Sequence, residues 1–328
     1  MINTFLATLD PMLMLFFCMA IGYAVSKSGI MPKNSASVLS KLETWVFCPA
    51  LSFATMARNC TVSSLGTHGV NIVISILTMS VALGIAIPLS GLFTKDKTKR
   101  GVYKYALMFG NFGYLGDPII LELFGEEMLS YYKLFTLPLS VLVYSWGISV
   151  LVPEGEVKGG FWKKLFNLPM IALLCGIVVG LCGVSEYIPT SVMTTLDGLK
   201  GCMGPVAMLI AGLTVANYGF KSMLTNKRVY IATGLRLIVL PAIILCFVFG
   251  IKELANLLFD AGIGNIPVFL AFFAFATPLG LNTVVFPEAY GGDSGTGASM
   301  AMISHTLCVV TIPLLYALLT LLLGEPII

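Results

Sequence analysis

The sequence predicts an all-α integral membrane protein of ten transmembrane helices, built as a 5+5 inverted repeat with broken fourth and ninth helices. Three observations predict it. Hydrophobic residues are 57% of the chain and charged residues only 11%, against about 25% charged in a soluble domain. The apolar residues gather into ten stretches of about 20 residues, the length that spans hydrocarbon. The fourth and ninth stretches are each interrupted in the middle by glycine, proline and polar residues.

The stretches run roughly 6–26, 37–57, 69–93, 101–125, 129–153, 167–184, 190–216, 227–250, 265–291 and 297–323. The first has no Lys or Arg before it and Lys27 after it, which favours a retained span over a cleaved leader. The second and seventh carry mid-span prolines, in Cys48-Pro49-Ala50-Leu51 and Gly204-Pro205-Val206-Ala207. The third ends at the cluster Lys95, Lys97, Lys99 and Arg100, read as a topology determinant. A linker at 154–166 separates the fifth from the sixth. No linker exceeds about fifteen residues, so no separate soluble domain is expected.

Loop cations orient the bundle. Lys27 and Lys33 lie in the first loop, Lys158, Lys163 and Lys164 in the fifth, and Lys221, Lys227 and Arg228 in the seventh. The even loops hold only Arg58, Lys133 and Lys252. The positive-inside rule then places the odd loops in the cytoplasm and both termini outside, in a multi-pass protein of the cell membrane. Five spans per half make residues 1–165 one repeat and 166–328 a second of inverted topology. Leu121-Glu122-Leu123-Phe124-Gly125-Glu126-Glu127 matches Pro287-Glu288-Ala289-Tyr290-Gly291-Gly292-Asp293 in order, and the two breaks align when counted back from these segments.

The composition also excludes function classes. A net charge of +3, dispersed along the chain, does not suit nucleic-acid binding. The eight cysteines form no CxxC pair and read as small apolar residues, with no metal and no organic cofactor implied. No HExxH or clustered catalytic constellation appears, so the chain reads as no enzyme.

The breaks carry the functional signal. The fourth span reads Gly110-Asn111-Phe112-Gly113-Tyr114-Leu115-Gly116-Asp117-Pro118, and the ninth reads Thr277-Pro278-Leu279-Gly280-Leu281-Asn282-Thr283. Glycine and proline release backbone groups that hydrocarbon cannot satisfy, so such breaks are tolerated where they line a cavity. Asp117-Pro118 is a helix-start signal, and Asn282-Thr283 offers the same cap. Two helix starts converging from opposite sides form an anion site needing no buried Arg or Lys. The preceding half-helices end near Asn111 and Thr277, where their carbonyls suit a coupling cation, H+ or Na+. Gly113, Gly116 and Gly280 allow close backbone approach.

With these residues in view, the chain resembles the auxin efflux carrier family in its short bacterial form, related in fold to the bile acid/sodium symporters. The matching segments are Asn111–Pro118, Thr277–Asn282, Glu288-Ala289-Tyr290-Gly291-Gly292-Asp293, and Pro205-Val206-Ala207-Met208-Leu209-Ile210-Ala211-Gly212. The resemblance implies a scaffold from spans 1, 2, 6 and 7 and a mobile transport domain from spans 3–5 and 8–10. It implies spans 4 and 9 crossing at their breaks, and allows a homodimer. Bacterial members are usually assigned to malate, malonate or other small carboxylates. The chain lacks the long hydrophilic central loop of many plant members, which argues against auxin itself.

The expected function is a secondary transporter or uniporter for a small organic anion, a carboxylate, working by elevator-like alternating access. A channel and a membrane solute sensor on the same fold are the alternatives. The expected substrate site comprises Asn111, Gly113, Tyr114, Gly116, Asp117, Pro118, Thr277, Pro278, Gly280, Asn282 and Thr283, with membrane lipid the other partner. Asp117 has two readings, a cap and a proton or cation carrier. Asp197 and Lys200, three residues apart on one face, are a structural pair or a gate. Arg236 is a carboxylate anchor or a snorkelling cation, and His305 a proton relay or a satisfied core residue.

Overall fold

The structure, a computed structural model, describes residues 2–153, 166–217 and 226–324. The loop cations Lys158, Lys163, Lys164 and Lys221, and the join between the halves at residue 165, lie outside them. The described residues are helical, with no strand among them. In chain order the helices are α1 (Ile2–Lys27), α2 (Ser35–Leu42), α3 (Cys48–Asn59), α4 (Leu65–Phe93), α5 (Lys97–Met108), α6 (Asp117–Phe135), α7 (Leu137–Leu142) and α8 (Ile148–Leu151). The second half adds α9 (Leu168–Leu181), α10 (Thr190–Ala216), α11 (Lys227–Gly234), α12 (Leu240–Phe259), α13 (Ile266–Ala276), α14 (Asn282–Tyr290) and α15 (Ser294–Leu323).

Among the described residues, five helices are long and apolar enough to cross a membrane: Thr4–Lys27, Val62–Phe93, Thr190–Ala216, Lys227–Phe259 and Ser294–Leu323. A sixth span forms if Phe112–Phe135 and Leu137–Leu151, bent by 45°, are taken together. The remaining predicted spans are shorter for visible reasons. The ninth is cut after the 11 residues of α13. The sixth appears as α9, of 14 residues, started by the Asn167 side chain accepting from Met170 N–H and followed by Gly183 at φ 67°. Gly125, at φ 77°, interrupts α6 where the sequence places the boundary between the fourth and fifth spans.

Among the described residues four π turns are built into the bundle: Glu43–Phe47, Phe112–Gly116, Val143–Gly147 and Leu235–Val239. Three of them end two residues before a proline, Pro49, Pro118 or Pro241. Proline has no N–H and its ring clashes with the carbonyl four residues back. A wider i→i+5 turn just ahead of it relieves that crowding and keeps the helix running.

The two most extensive helix–helix contacts are α1 along α10 and α9 along α3. Each joins the first predicted span of one half to the second predicted span of the other. Both are close approaches: Gly212 lies against the Met19 carbonyl, and a Cβ on Gly176 would sit 2.8 Å from the Phe53 carbonyl. The core runs from these helices to α13. Phe269, Phe272, Phe273 and Phe275 of that helix are all buried. Phe124 and Tyr316 pack edge-on against Phe269, at centroid distances of 4.5 and 5.7 Å. An apolar helix enclosed on all sides gives the second break a rigid support.

Candidate functional site

The two breaks meet. Asn111 N–H donates to the Pro278 carbonyl at 2.7 Å and Gly280 N–H donates to the Phe109 carbonyl at 3.2 Å. Gly110 and Leu279 face each other in an isolated antiparallel bridge. Each break thus satisfies part of the other's backbone, which lets irregular chain lie inside an apolar bundle. Gly110 is required here, because a Cβ would collide with the Arg236 guanidinium and the Thr277 hydroxyl. The Tyr132 hydroxyl ties the breaks together from behind, 3.3 Å from the Phe112 carbonyl and 3.2 Å from the Phe273 carbonyl. Gly116 makes room for it.

Beside this junction is a cavity of about 100 Å³, enough for a ligand of several non-hydrogen atoms. It gathers six of the predicted residues, Asn111, Gly113, Tyr114, Asp117, Gly280 and Asn282. Three of the four π turns reach it, through Thr44, through Phe112, Gly113 and Tyr114, and through Val143 and Tyr144. The other predicted residues sit behind the wall. Pro278 contributes its carbonyl to the bridge. The Thr277 hydroxyl, fully buried, points to the Ala274 carbonyl at 3.4 Å, and the Thr283 hydroxyl donates to the Gly280 carbonyl at 2.8 Å. Pro118 packs against Gly204.

The structure corrects three expectations. Asp117-Pro118 does not start a helix: the π turn Phe112–Gly116 runs directly into α6, and the preceding Asn111 carbonyl accepts from the Leu115 and Gly116 N–H groups, both at 3.0 Å. Neither Asp117 nor Asn282 caps a helix with its side chain. The site is also not free of buried cations. Lys133, read as a loop residue, lies within α6 and its ammonium meets Asp117 Oδ2 at 2.7 Å, with side-chain exposures of 12% and 1%. The other Asp117 oxygen has no partner. Lys252, also read as a loop cation, lies within α12 and donates to Asn265 Oδ1 at 2.8 Å.

The two asparagines are held alike. His305 Nδ1 lies 2.9 Å from the Ala301 carbonyl, which only accepts, so Nδ1 carries the proton and Nε2 accepts. Asn111 Nδ2 donates to that Nε2 at 3.1 Å, inside a fully buried contact. Asn282 Nδ2 donates to the Tyr105 hydroxyl at 3.1 Å. Each amide thereby keeps a carbonyl oxygen and one N–H for other partners. Arg236 turns neither to the cavity nor to the membrane surface. It is fully buried and its Nη1 donates to the Leu107 carbonyl at 3.3 Å, at the C-terminal, negative end of α5.

Asp197 and Lys200 do pair, at 3.2 Å, within a four-charge cluster. Arg58 binds both Asp197 oxygens at 2.7 Å and approaches Glu126 at 3.4 Å, while Lys200 reaches Glu126 at 2.5 Å. The cluster joins the end of α3, the first half of α10 and the segment just after Gly125. The eight cysteines are free, and among the described residues no group of His, Cys, Asp and Glu suits a metal.

Lys133, Tyr105, Tyr144 and Thr44 line the cavity and were not expected there. A signal existed for Glu43 and Thr44, since Pro49 follows their π turn, and Pro241 likewise follows the turn holding Arg236. Lys133 had only its distance from Asp117, which crosses a turn and has no fixed spacing rule.

Comparison with known proteins bears on the whole architecture. Over 311 residues the chain is 24% identical to an uncharacterised transporter of Methanocaldococcus jannaschii, covering 93% of this chain and 97% of that protein. It is 25% identical over 239 residues to an uncharacterised transporter of Methanothermobacter thermautotrophicus, covering 72% and 77%. The family model described as membrane transport protein matches residues 7–159 and 156–316, one match in each half. This chain, with its apolar spans and two meeting breaks, is a membrane transporter belonging to that membrane transport protein family, the auxin efflux carriers.

Proposed function

We propose that the protein moves a small organic anion, a carboxylate, across the cell membrane by alternating access, as a secondary transporter or uniporter. The observation that supports this best is the bridge between the two helix breaks beside a small cavity lined by Lys133. An ammonium has three N–H donors, and the bond to Asp117 uses one of them. The other two are suited to a carboxylate, with the Thr44, Tyr105, Tyr114 and Tyr144 hydroxyls completing a polar rim. The cavity's size suits a substrate of a few carbons better than an indole ring.

In this reading ten spans form the bundle, with both termini outside and the broken fourth and ninth spans crossing at the bridge. The pairs α1–α10 and α9–α3, locked by glycine contacts, act as the scaffold. The helices bearing the breaks move against it and carry the cavity from one face to the other. The cluster of Arg58, Glu126, Asp197 and Lys200 spans the two bodies and holds one end closed.

The test is thermal stabilisation of the purified protein by a panel of mono- and dicarboxylates, each with and without sodium, at two pH values. A ligand that binds the folded state raises the melting temperature by mass action. The expected result is a shift from a carboxylate that disappears in Lys133→Gln. Shifts from neutral solutes or cations alone overturn the anion reading. Wild-type affinity and rate in both Asn111→Ala and Asn282→Ala overturn the placement of the site.

A further inference from the structure

Arg236 is the buried cation that the cavity does not use. It lies fully buried in the π turn Leu235–Val239, and among the described residues it pairs with no carboxylate. Its Nε and Nη2 have no hydrogen-bond partner. A guanidinium keeps its charge at physiological pH, so this position holds a fixed positive charge inside the bundle. Such a charge is costly to bury unless its surroundings answer it.

The two breaks supply that answer. In a continuous helix the Leu107 carbonyl would accept from the Asn111 N–H, four residues on. That N–H goes to the Pro278 carbonyl instead. Arg236 Nη1 takes the freed Leu107 carbonyl at 3.3 Å. In the second break the Ala274 carbonyl would accept from residue 278, a proline with no N–H to give. Only the Thr277 hydroxyl approaches it, at 3.4 Å. That carbonyl, the Thr277 hydroxyl and Arg236 Nη2 all lie within 3.0 Å of one point, where a Cβ on Gly110 would sit. The negative C-terminal ends of α5 and α13 thus converge on one guanidinium.

Half-helix ends and unwound carbonyls of this kind coordinate sodium in transporters built from broken helices. A metal ion here would face the guanidinium across a few ångströms of low-dielectric interior, where like charges repel strongly. We propose that Arg236 is a built-in cation of this transporter. Its guanidinium occupies the two carbonyl ends in place of a coupling metal ion, so transport needs no sodium. The inference deepens the transport reading and rests on it, but its first test needs no substrate.

That test compares melting temperatures in sodium chloride and in choline chloride of equal ionic strength. A cation that binds only the folded state raises the melting temperature by mass action. Wild type and Arg236→Lys should show no sodium-specific shift. Arg236→Ser removes the charge and leaves the carbonyls. It should melt below wild type in choline and regain several degrees in sodium, saturably. A saturable sodium shift in wild type overturns the proposal, as does a folded Arg236→Ser that sodium does not stabilise. The second test uses wild-type proteoliposomes with labelled malate as the probe, and holds even where Arg236→Ser does not fold. Uptake should be equal under an inward sodium gradient and under choline, and several-fold stimulation by sodium overturns the proposal. Failure of the wild type to take up any carboxylate of the panel defeats the cargo reading instead, and the melting comparison then decides Arg236 alone.

Discussion

The two breaks occupy equivalent places in the two halves, yet they are chemically unlike. The first brings a carboxylate, Asp117, to the cavity with Lys133 bonded to it, and runs into its helix through a π turn. The second brings glycine, leucine and an amide, and starts its helix with tight i→i−3 bonds from Thr283 to Gly280 and from Val284 to Leu281. The second half instead supports the first. Arg236 caps the carbonyl end of α5, and His305 holds the Asn111 amide. The comparison teaches that a repeated backbone can divide its work: one copy carries charge, the other holds shape. Equivalent substitutions should then have unequal effects.

The largest inequality concerns Lys133, which has no counterpart at the second break. Lys133→Met leaves the buried Asp117 charge unpaired, and breaking a buried pair from one side costs about 3–5 kcal/mol. The expected outcome is a steep fall in melting temperature with loss of carboxylate binding. The double variant Asp117→Asn/Lys133→Met should regain most of the stability and none of the binding, since it removes both charges together. Binding retained in the double variant would place the anion elsewhere and remove the asymmetry.

A second contrast lies within the first break. Gly110→Ala drives a methyl into the Arg236 guanidinium and the Thr277 hydroxyl, whereas a Cβ on Gly113 meets nothing within 4 Å. Overpacking of this kind costs about 1–3 kcal/mol, while Gly113→Ala should stay within about 0.5 kcal/mol. Denaturant unfolding of the two variants checks the order. Equal costs would mean that the breaks are not held together as tightly as their bridge implies.

The asparagines give the third contrast. Asn111→Ala strands the Nε2 of a buried histidine, at about 1–3 kcal/mol. Asn282→Ala releases a tyrosine hydroxyl in a less buried contact and should cost about 1 kcal/mol. His305→Ala should weaken ligand affinity at Asn111 without touching the cavity, which a melting series with and without ligand can read.

What was legible in the sequence follows the physics of each element. The breaks stood out because glycine, proline and asparagine cluster at mid-span in an apolar run, and both reached one junction. The boundary at Gly125 was legible for the same reason, since only glycine adopts its φ of 77° readily. The role of Asp117 was not legible. Asp-Pro is a good helix start in water, but a π turn ahead of the proline lets the helix continue, and the carboxylate then finds an ammonium 16 residues away. Lys133 was hidden because a lysine near a predicted span end reads as a loop cation. Its burial depends on α6 running on past Gly125, a tertiary fact. Arg236 was visible as a buried charge, but its partner is a backbone carbonyl on the other half, which no spacing rule announces.

The smallest expected effect tests the division between scaffold and moving body. Glu126 is about one third exposed and pairs with Lys200 and Arg58, which also hold Asp197. Exposed ion pairs contribute about 0–1 kcal/mol, and the cluster keeps Asp197 when Glu126 is neutral. Glu126→Gln should therefore lower the melting temperature by no more than a degree or two, an amount that high salt also removes. If the cluster closes one end between the two bodies, the same change should raise accessibility of a cysteine placed at Thr44 to a thiol reagent, because the junction opens more often. A large loss of stability would show instead that Glu126 belongs to the rigid core. The charged break would then be fixed to its surroundings as firmly as the neutral one.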